Sequence, residues 1–369
     1  MSLAITAEQD QLRATVRRFL AEEAPLTRVR EAAAEPDSWD CELWRRMAED
    51  IGVHGLAVPP EYGGAGAGFQ ELSYVFEEGG RALLTGPYYA TFGLVLPALL
   101  ACRDADVRMR YLPGIADGTT TATLAGLAPG AGWDSWGQDI TARSTPKGWR
   151  VTGAASAVLD ATTATLLLVV ARTGPNLHIF AADPNDQSVR RSPQPTLDQT
   201  RPVGAVEFHD TPATPITDDG TRVLSDALDH ANLLLAADMI GGAQACLDMS
   251  VAYAKSREQF GRPIGSFQAI KHTCAENLVE LEGARSATYY AAWAADDNPS
   301  ELPIVATLAK ATAGETYFRA AADNVQIHGG IGFTWEHDAH LYFKRAKASQ
   351  LLFGDTGTFR RRLADRIGL

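Results

Sequence analysis

Pro263 constrains the architecture of this chain more than any other single residue. It has no backbone N–H and its ring clashes with the preceding turn, so no helix can run through it. The stretch Lys255–Gln268, KSREQFGRPIGSFQ, therefore reads as a helix, a tight bend over Gly261-Arg262-Pro263-Ile264-Gly265, and a second helix. Ser266 is expected to cap that second helix, although Ala269 stands where a Glu would complete a capping box. Arg257, Gln259 and Phe260 are then expected on the last turn before the corner, with Gln268 just after it. An Arg, two amides and a ring gathered at one corner suit an anionic or aromatic ligand. A solvated bend around one buried Phe suits them equally.

The flanking sequence is helical in pattern over roughly 226–258, 266–296, 299–327 and 337–352, followed by a short C-terminal helix. Pro299 and Pro303 sit at a helix start, where proline is tolerated. Four long helices with short corners predict a four-helix bundle. Near the end of the third comes Gln326-Ile327-His328-Gly329-Gly330-Ile331-Gly332-Phe333. Paired glycines let a backbone approach a ligand closely and offer its N–H groups to an anion.

Residues 1 to about 118 also read as helices. Thr6 with Gln9 forms a capping box ahead of Leu12, Val16 and Leu20, and a later helix from about Trp39 carries Leu43, Trp44 and Met47. Helices resume over 72–82, 88–101 and 105–115. The Gly63–Gly68 loop is not a G-x-G-x-x-G turn, because Phe69 occupies the last position. Between 119 and about 221 the chain turns to Thr, Val, Pro and Gly, with strand-like runs at 122–125, 149–152, 166–171, 177–181 and 204–208. The expected organisation is a helical domain over 1–118, a β-domain over 119–225 and a helical bundle over 226–369.

The net charge of −12, from 33 Lys and Arg against 45 Asp and Glu, excludes nucleic acid as a general partner, since phosphate backbones need clustered positive charge. Arg360-Arg361-Arg362 is a local basic run that reads as a solvated face. Cys41, Cys102, Cys246 and Cys274 are scattered without a C-x-x-C pair, which suits a reducing compartment and offers no metal site. No apolar run reaches the ~18 residues of a membrane span, and no signal-peptide pattern opens the sequence. A cytoplasmic location is expected.

Taken together, the R-x-x-F-G corner at Arg257–Gly261 and the Q-x-x-G-G run at Gln326–Gly330 resemble the acyl-CoA dehydrogenase family. Tyr111-Leu112-Pro113, Pro60-Glu61-Tyr62-Gly63-Gly64 and Pro129-Gly130-Ala131-Gly132 fall where that family has counterparts, so the resemblance covers nearly the whole chain. It implies an α+β, mostly α fold and FAD-dependent α,β-desaturation of an acyl-CoA thioester. In the family, one subunit supplies a wall for the flavin ring, ring hydrogen bonds and a carboxylate base, while its neighbour sends the two motifs across the interface. By resemblance, Arg257 would meet the flavin pyrophosphate, Phe260 would pack on the cofactor, and Gln259 and Gln268 would be polar contacts. Gln326, Ile327, Gly329 and Gly330 would face its phosphate and adenosine part.

The other half of such a site is missing its usual residues. Where the family reads T-E-P-G-A-G-S-D, this chain has Leu127-Ala128-Pro129-Gly130-Ala131-Gly132-Trp133-Asp134, with leucine for the hydroxyl. The W-x-T positions fall on Ala157 and Leu159. The usual glutamate falls on Phe353, or on Asp355 in a shifted alignment. The alternative base position falls on Ala231, with Asp238 seven residues further along the same helix. His272 and His328 read as structural.

No catalytic residue is therefore assigned, with Asp355 and Asp238 as the weak acidic candidates. The resemblance implies the partner subunit of an actinobacterial α2β2 steroid side-chain enzyme, with a homologous subunit, an acyl-CoA substrate and an acceptor such as an electron-transfer flavoprotein. A self-sufficient homotetramer and a flavin-free scaffold or CoA-ester-binding protein are the alternatives.

Overall fold

The structure is a computed structural model that describes residues 5–34, 39–128, 130 and 132–369. Its elements run α1 (Ala7–Glu23), α2 (Leu26–Ala34), α3 (Cys41–Glu49), α4 (Phe69–Arg81), a π-helical stretch (Tyr89–Val95), α5 (Leu96–Ala101) and α6 (Ala105–Ala116). Seven strands follow: β1 (Ala122–Ala125), β2 (Ile140–Thr145), β3 (Gly148–Leu159), β4 (Leu166–Thr173), β5 (Asn176–Ala182), β6 (Val189–Gln194) and β7 (Val203–Thr217). The C-terminal helical region holds α7 (Gly220–Ser256), a two-strand hairpin of β8 (Glu258–Gln259) and β9 (Arg262–Pro263), α8 (Gln268–Asp297), α9 (Leu302–His328), α10 (Ala339–Leu351) and α11 (Thr356–Arg366). This is the expected order of a helical N-terminal part, a middle β part and a helical C-terminal part. Helix α2 and strands β2 and β6 were not expected from sequence.

The chain forms two compact units. The first, helical, gathers the described parts of 1–29, 69–84 and 232–369. Its α1 starts with the expected capping box, Thr6 accepting from the Gln9 N–H while the Gln9 side chain accepts from Thr6 N. The N-terminus of α4 is capped from a distance, Asp296 of α8 accepting from Phe69 N at 2.9 Å and Gln70 N at 2.8 Å. Helices α4 and α7 cross with their backbones almost touching. A Cβ at Gly80 would collide with the Asp238 carbonyl, one at Gly241 with the Glu77 carbonyl, and one at Gly242 with the Tyr317 ring of α9.

Two buried carboxylates flank that crossing. Glu78 receives both arms of Arg17, at 2.8 and 2.6 Å. Glu77 receives Arg285 and the Tyr289 hydroxyl of α8, with Arg13 of α1 at 3.5 Å. These pairs tie α1, α4 and α8 together.

The second unit comprises 85–231 and the described parts of 30–68. β7 is central: it pairs antiparallel with β3, β5 and β6. β4 pairs with β1 in parallel and with β5 in antiparallel fashion, and Thr141 of β2 meets Arg172 of β4, so the sheet closes on itself around Ile140, Val151, Leu167, Val169, Phe180, Val206 and Phe208. Thr91, in the π-helical stretch, bonds Ala122 N at 3.0 Å and so docks the start of β1.

Also in this unit, His54 is fully buried edge-on to Trp44 and Phe92, with ring centroids 4.1 and 5.1 Å away.

Two stability outcomes follow from this packing. Gly241→Ala should lower unfolding free energy by about 3 kcal/mol or more, at the upper end of overpacking penalties, because the neighbour is backbone and cannot rotate away; urea denaturation measures it. Burial lowers the His54 pKa from 6.5 to about 4. The unfolded chain therefore takes its proton first, and stability is lost as pH falls from about 6.5 towards 4, by up to roughly 3 kcal/mol. His54→Leu should remove that part of the acid slope while leaving stability at pH 8 within about 1 kcal/mol, checked by denaturation at both pH values.

Candidate functional site

The corner at Pro263 is a hairpin rather than a helical turn. α7 stops at Ser256, and Arg257 N donates to Tyr253 O at 2.8 Å as the last helical bond. Gln259 then pairs with Arg262 and Glu258 with Pro263, leaving Phe260 and Gly261 as a two-residue loop. Both have left-handed φ, 54° and 75°, the requirement of a type I′ turn. Arg257, Gln259 and Phe260 are accordingly off the helix, against expectation. Ser266 is not the cap either: it lies in a short 3-10 turn, and α8 begins after Phe267 without a side-chain cap.

Phe260 does not suit a solvated bend around a buried ring. It is 91% exposed and holds a backbone conformation that costs an aromatic residue energy. Its nearest aromatic neighbour is Phe267, edge-on at 6.1 Å, and the Phe267 ring is covered by the Arg262 guanidinium at 4.3 Å. Arg257 is exposed, and no carboxylate pairs with it among the described residues. Gln259 and Gln268 are exposed as well.

The glycine run lies beside this hairpin. α9 ends at His328, whose ring stacks on Tyr253 of α7 at 4.3 Å and against His337 at 4.3 Å. His328 Nδ1 faces the Asn324 carbonyl at 2.8 Å, so that nitrogen carries the proton. Burial lowers its pKa, with the neighbouring His337 adding to the effect. Because Tyr253 also receives the Arg257 N–H, one residue joins the two stretches, and nothing in the sequence pattern singled it out. Gly329 (φ 65°) and Gly330 are exposed with open space where a Cβ would stand. Gln326 is exposed, whereas the Ile327 side chain is buried at 6% and can offer only backbone outward. Ile331, Phe333 and Trp335 continue the run as exposed apolar surface.

The other expected positions are closed by the chain's own groups. Leu127 is buried and its backbone bridges Trp136. Ala157 sits at a bulge with φ 53°, and its N–H donates to the Gln194 side chain at 3.0 Å. Leu159 is buried, its carbonyl accepting from Thr123. Pro129 and Ala131 lie outside the described residues. Phe353 is buried, with its carbonyl accepting from Arg362 at 3.0 Å. Ala231 is buried and its carbonyl accepts from Tyr89 at 2.8 Å.

Both acidic candidates are occupied structurally. Asp355 caps α11, its carboxylate accepting from Thr358 N at 2.7 Å, and that hydrogen bond holds its pKa below the usual range. Asp238 is buried 3.4 Å from Arg345, itself 1% exposed. His272 is exposed on α8. No helix is long and apolar enough to cross a membrane, among the described residues.

Residues 6–119 match the family model described as the N-terminal domain of acyl-CoA dehydrogenase, and 218–368 match that of its C-terminal domain. The chain is 36% identical to acyl-CoA dehydrogenase IpdE2 of Mycobacterium tuberculosis over 361 residues, covering 98% of this chain and 97% of that protein. Among solved structures, it is similar to a variant of the Tcur3481-Tcur3483 steroid ACAD, with 30% identity, TM-score 0.90 and coverage of 99% and 98%. The ChsE4-ChsE5 complex of Mycobacterium tuberculosis gives 27% identity, TM-score 0.90 and coverage of 100% and 99%.

The role of Asp355 is separable by two substitutions. Asp355→Ala should cost about 1 kcal/mol through loss of the cap, while Asp355→Asn, an equally good capping residue, should leave stability unchanged. Thermal unfolding of the two variants side by side checks this.

Proposed function

The chain belongs to the acyl-CoA dehydrogenase family, and on that premise we propose that it is the base-lacking subunit of a heteromeric FAD-dependent acyl-CoA dehydrogenase. It lends cofactor contacts to a homologous partner in an α2β2 assembly and carries no complete catalytic set of its own. The observation that carries this reading is the contrast between its two sets of positions. Arg257 is exposed without a carboxylate partner among the described residues and Gly329 and Gly330 are exposed with open space beside them, while Leu127, Ala157, Leu159 and Phe353 are buried or bonded internally.

The exposed set fits a diphosphate chemically. Arg257 brings a permanently charged fork with no competing carboxylate among the described residues, and the glycine run lets a ligand approach its backbone without steric obstruction. The second set does not fit a flavin ring. It has no hydroxyl at Leu127, and the Ala157 N–H is already satisfied by Gln194. When bound, FAD supplies the hydride acceptor for oxidation of the thioester. In this reading the chain's own part is to neutralise the pyrophosphate through Arg257, to cover the cofactor with Phe260, and to hold its phosphate and adenosine portion with Gln326, Gly329 and Gly330. Gln259 and Gln268 add polar contacts. Abstraction of the α-proton falls to a carboxylate of the partner, because Asp355 is committed to a helix cap and Asp238 to Arg345.

Acyl-CoA thioesters are the substrate class that goes with the family. A steroid side chain is favoured by the similarity to the steroid ACAD, and a flavoprotein is the kind of acceptor that would reoxidise the complex.

Purified alone, the chain should carry little flavin and show no acyl-CoA oxidation; stoichiometric FAD with turnover would overturn the proposal in favour of a self-sufficient enzyme. In a complex with its wild-type partner, Arg257→Ala should weaken FAD affinity about ten- to hundredfold, the worth of one charge-assisted contact. Arg257→Lys should recover only part of that loss, with the assembly intact by size-exclusion chromatography. Unchanged affinity would reduce the hairpin to a structural role.

A further inference from the structure

The clefts of the molecule differ in how their charges are balanced. The one beside Glu77 and Glu78 is lined by Arg13, Arg17, Arg81 and Arg285 together with carboxylates that pair with them, so it has no charge left to recruit a ligand. A larger cleft of about 700 Å³ lies entirely in the second unit, within the range of small-molecule sites. It sits where β7 meets β3 and β5, since Ala213 pairs with Trp149 of β3 and with Ala182 of β5. α6 adds Arg110 and Tyr111 to its wall, and the β2–β3 turn adds Lys147.

Three properties of this cleft point to one ligand class. Arg110 and Lys147 are exposed, and neither pairs with a carboxylate among the described residues, although the chain as a whole carries a charge of −12. Among the lining residues Asp183 is the single acid, so two cations against one carboxylate leave the wall net positive. Two half-buried rings complete it. Trp149 is fixed against Phe180 of the sheet core, with centroids 5.3 Å apart, and Tyr111 lies under the Arg110 guanidinium at 5.3 Å. Fixed rings beside cations recognise flat aromatic groups that carry negative charge. A simple anion would leave the rings unused, and an uncharged apolar ligand would leave both cations facing it without a partner.

We propose that this cleft binds a phosphorylated nucleoside, its phosphates facing Arg110 and Lys147 and its base lying against Trp149 and Tyr111. The site shares no residue with the 257–330 region and stands independently of the cofactor role assigned there.

Isothermal titration of the full chain with ADP at low salt tests it. One saturable site per chain is expected, weakened by added salt because the cations are exposed. Adenosine and inorganic phosphate should each bind more weakly than ADP. The double variant Arg110→Ala/Lys147→Ala removes two exposed side chains and should fold normally by circular dichroism. It should lose about tenfold or more in ADP affinity, a few-fold from each screened contact.

Because ADP is also a fragment of FAD, Arg257→Ala serves as the control and should leave ADP affinity unchanged. Absence of saturable binding at millimolar ADP would overturn the proposal, as would phosphate binding as tightly as ADP. Loss of binding in Arg257→Ala with retention in the double variant would place the nucleotide at the hairpin, and would likewise overturn it.

Discussion

Everything in the helical unit depends on how closely α4 and α7 approach. Glycines at 80, 241 and 242 remove the side chains that would keep the backbones apart, with carbonyls and the Tyr317 ring filling the space where each Cβ would stand. At such a crossing the backbones themselves are in contact, and polar groups beside it tie in the neighbouring helices. Glu77 and Glu78 are placed by the same α4 turn and reach α1 and α8 through Arg13, Arg17, Arg285 and Tyr289. Buried carboxylates are expensive when unpaired and tolerable when each lone pair is met. The pairing of these two therefore specifies which helices surround the crossing more than it adds net stability. α7 also carries Tyr253 at its far end, so the position of the hairpin and the glycine run is inherited from this packing.

Much of this architecture was legible in the residues. Helix starts announced by Thr6 and Gln9, the change from helical to strand composition after residue 118, and the restart of helices, expected near 226 and found at Gly220, all correspond to local chemistry acting within a few residues. What was not legible depended on partners distant in sequence. β6, VRRSPQ, has no apolar alternation and contains a proline; it is a strand because β7 offers it a ladder. The cap of α4 comes from Asp296, more than two hundred positions away. No window of sequence contains either cause.

The corner shows the same limit at the scale of the site. Pro263 correctly forbade a continuous helix, but Ser266 was expected to begin the next one because serine caps helices well. The hairpin prevailed because Gly261 supplies one left-handed position without cost and the ladder between Gln259 and Arg262 compensates for the strained one at Phe260. A bulky residue at that position of a two-residue turn is a local conflict between propensity and structure, and such conflicts concentrate where function rather than stability selects the residue. The family resemblance grouped Arg257, Phe260 and the glycines. It could not show that Tyr253 and His328 are the physical link, because a ring stack between the ends of two helices leaves no spacing signature.

The two sets of site positions also differ in what maintains them. In the proposed reading, a residue that contacts a ligand bound mostly elsewhere must stay open to solvent in its own chain, and Arg257, Gln326 and Gly330 are all exposed. A position that serves no ligand inside its own fold cannot stay open, because an apolar wall facing water and an unsatisfied backbone N–H both cost free energy. It is filled, and here the fillers can be named: the Gln194 side chain on the Ala157 N–H, the Trp136 bridge on Leu127, and Arg362 on the carbonyl of a buried Phe353. Each filler makes it harder for a flavin ring or a base to occupy that position, since a bond or a packed ring must first be given up. The open arginine carries no such lock. In the proposed asymmetric pair of subunits, one filled and one functional, both conditions would persist together.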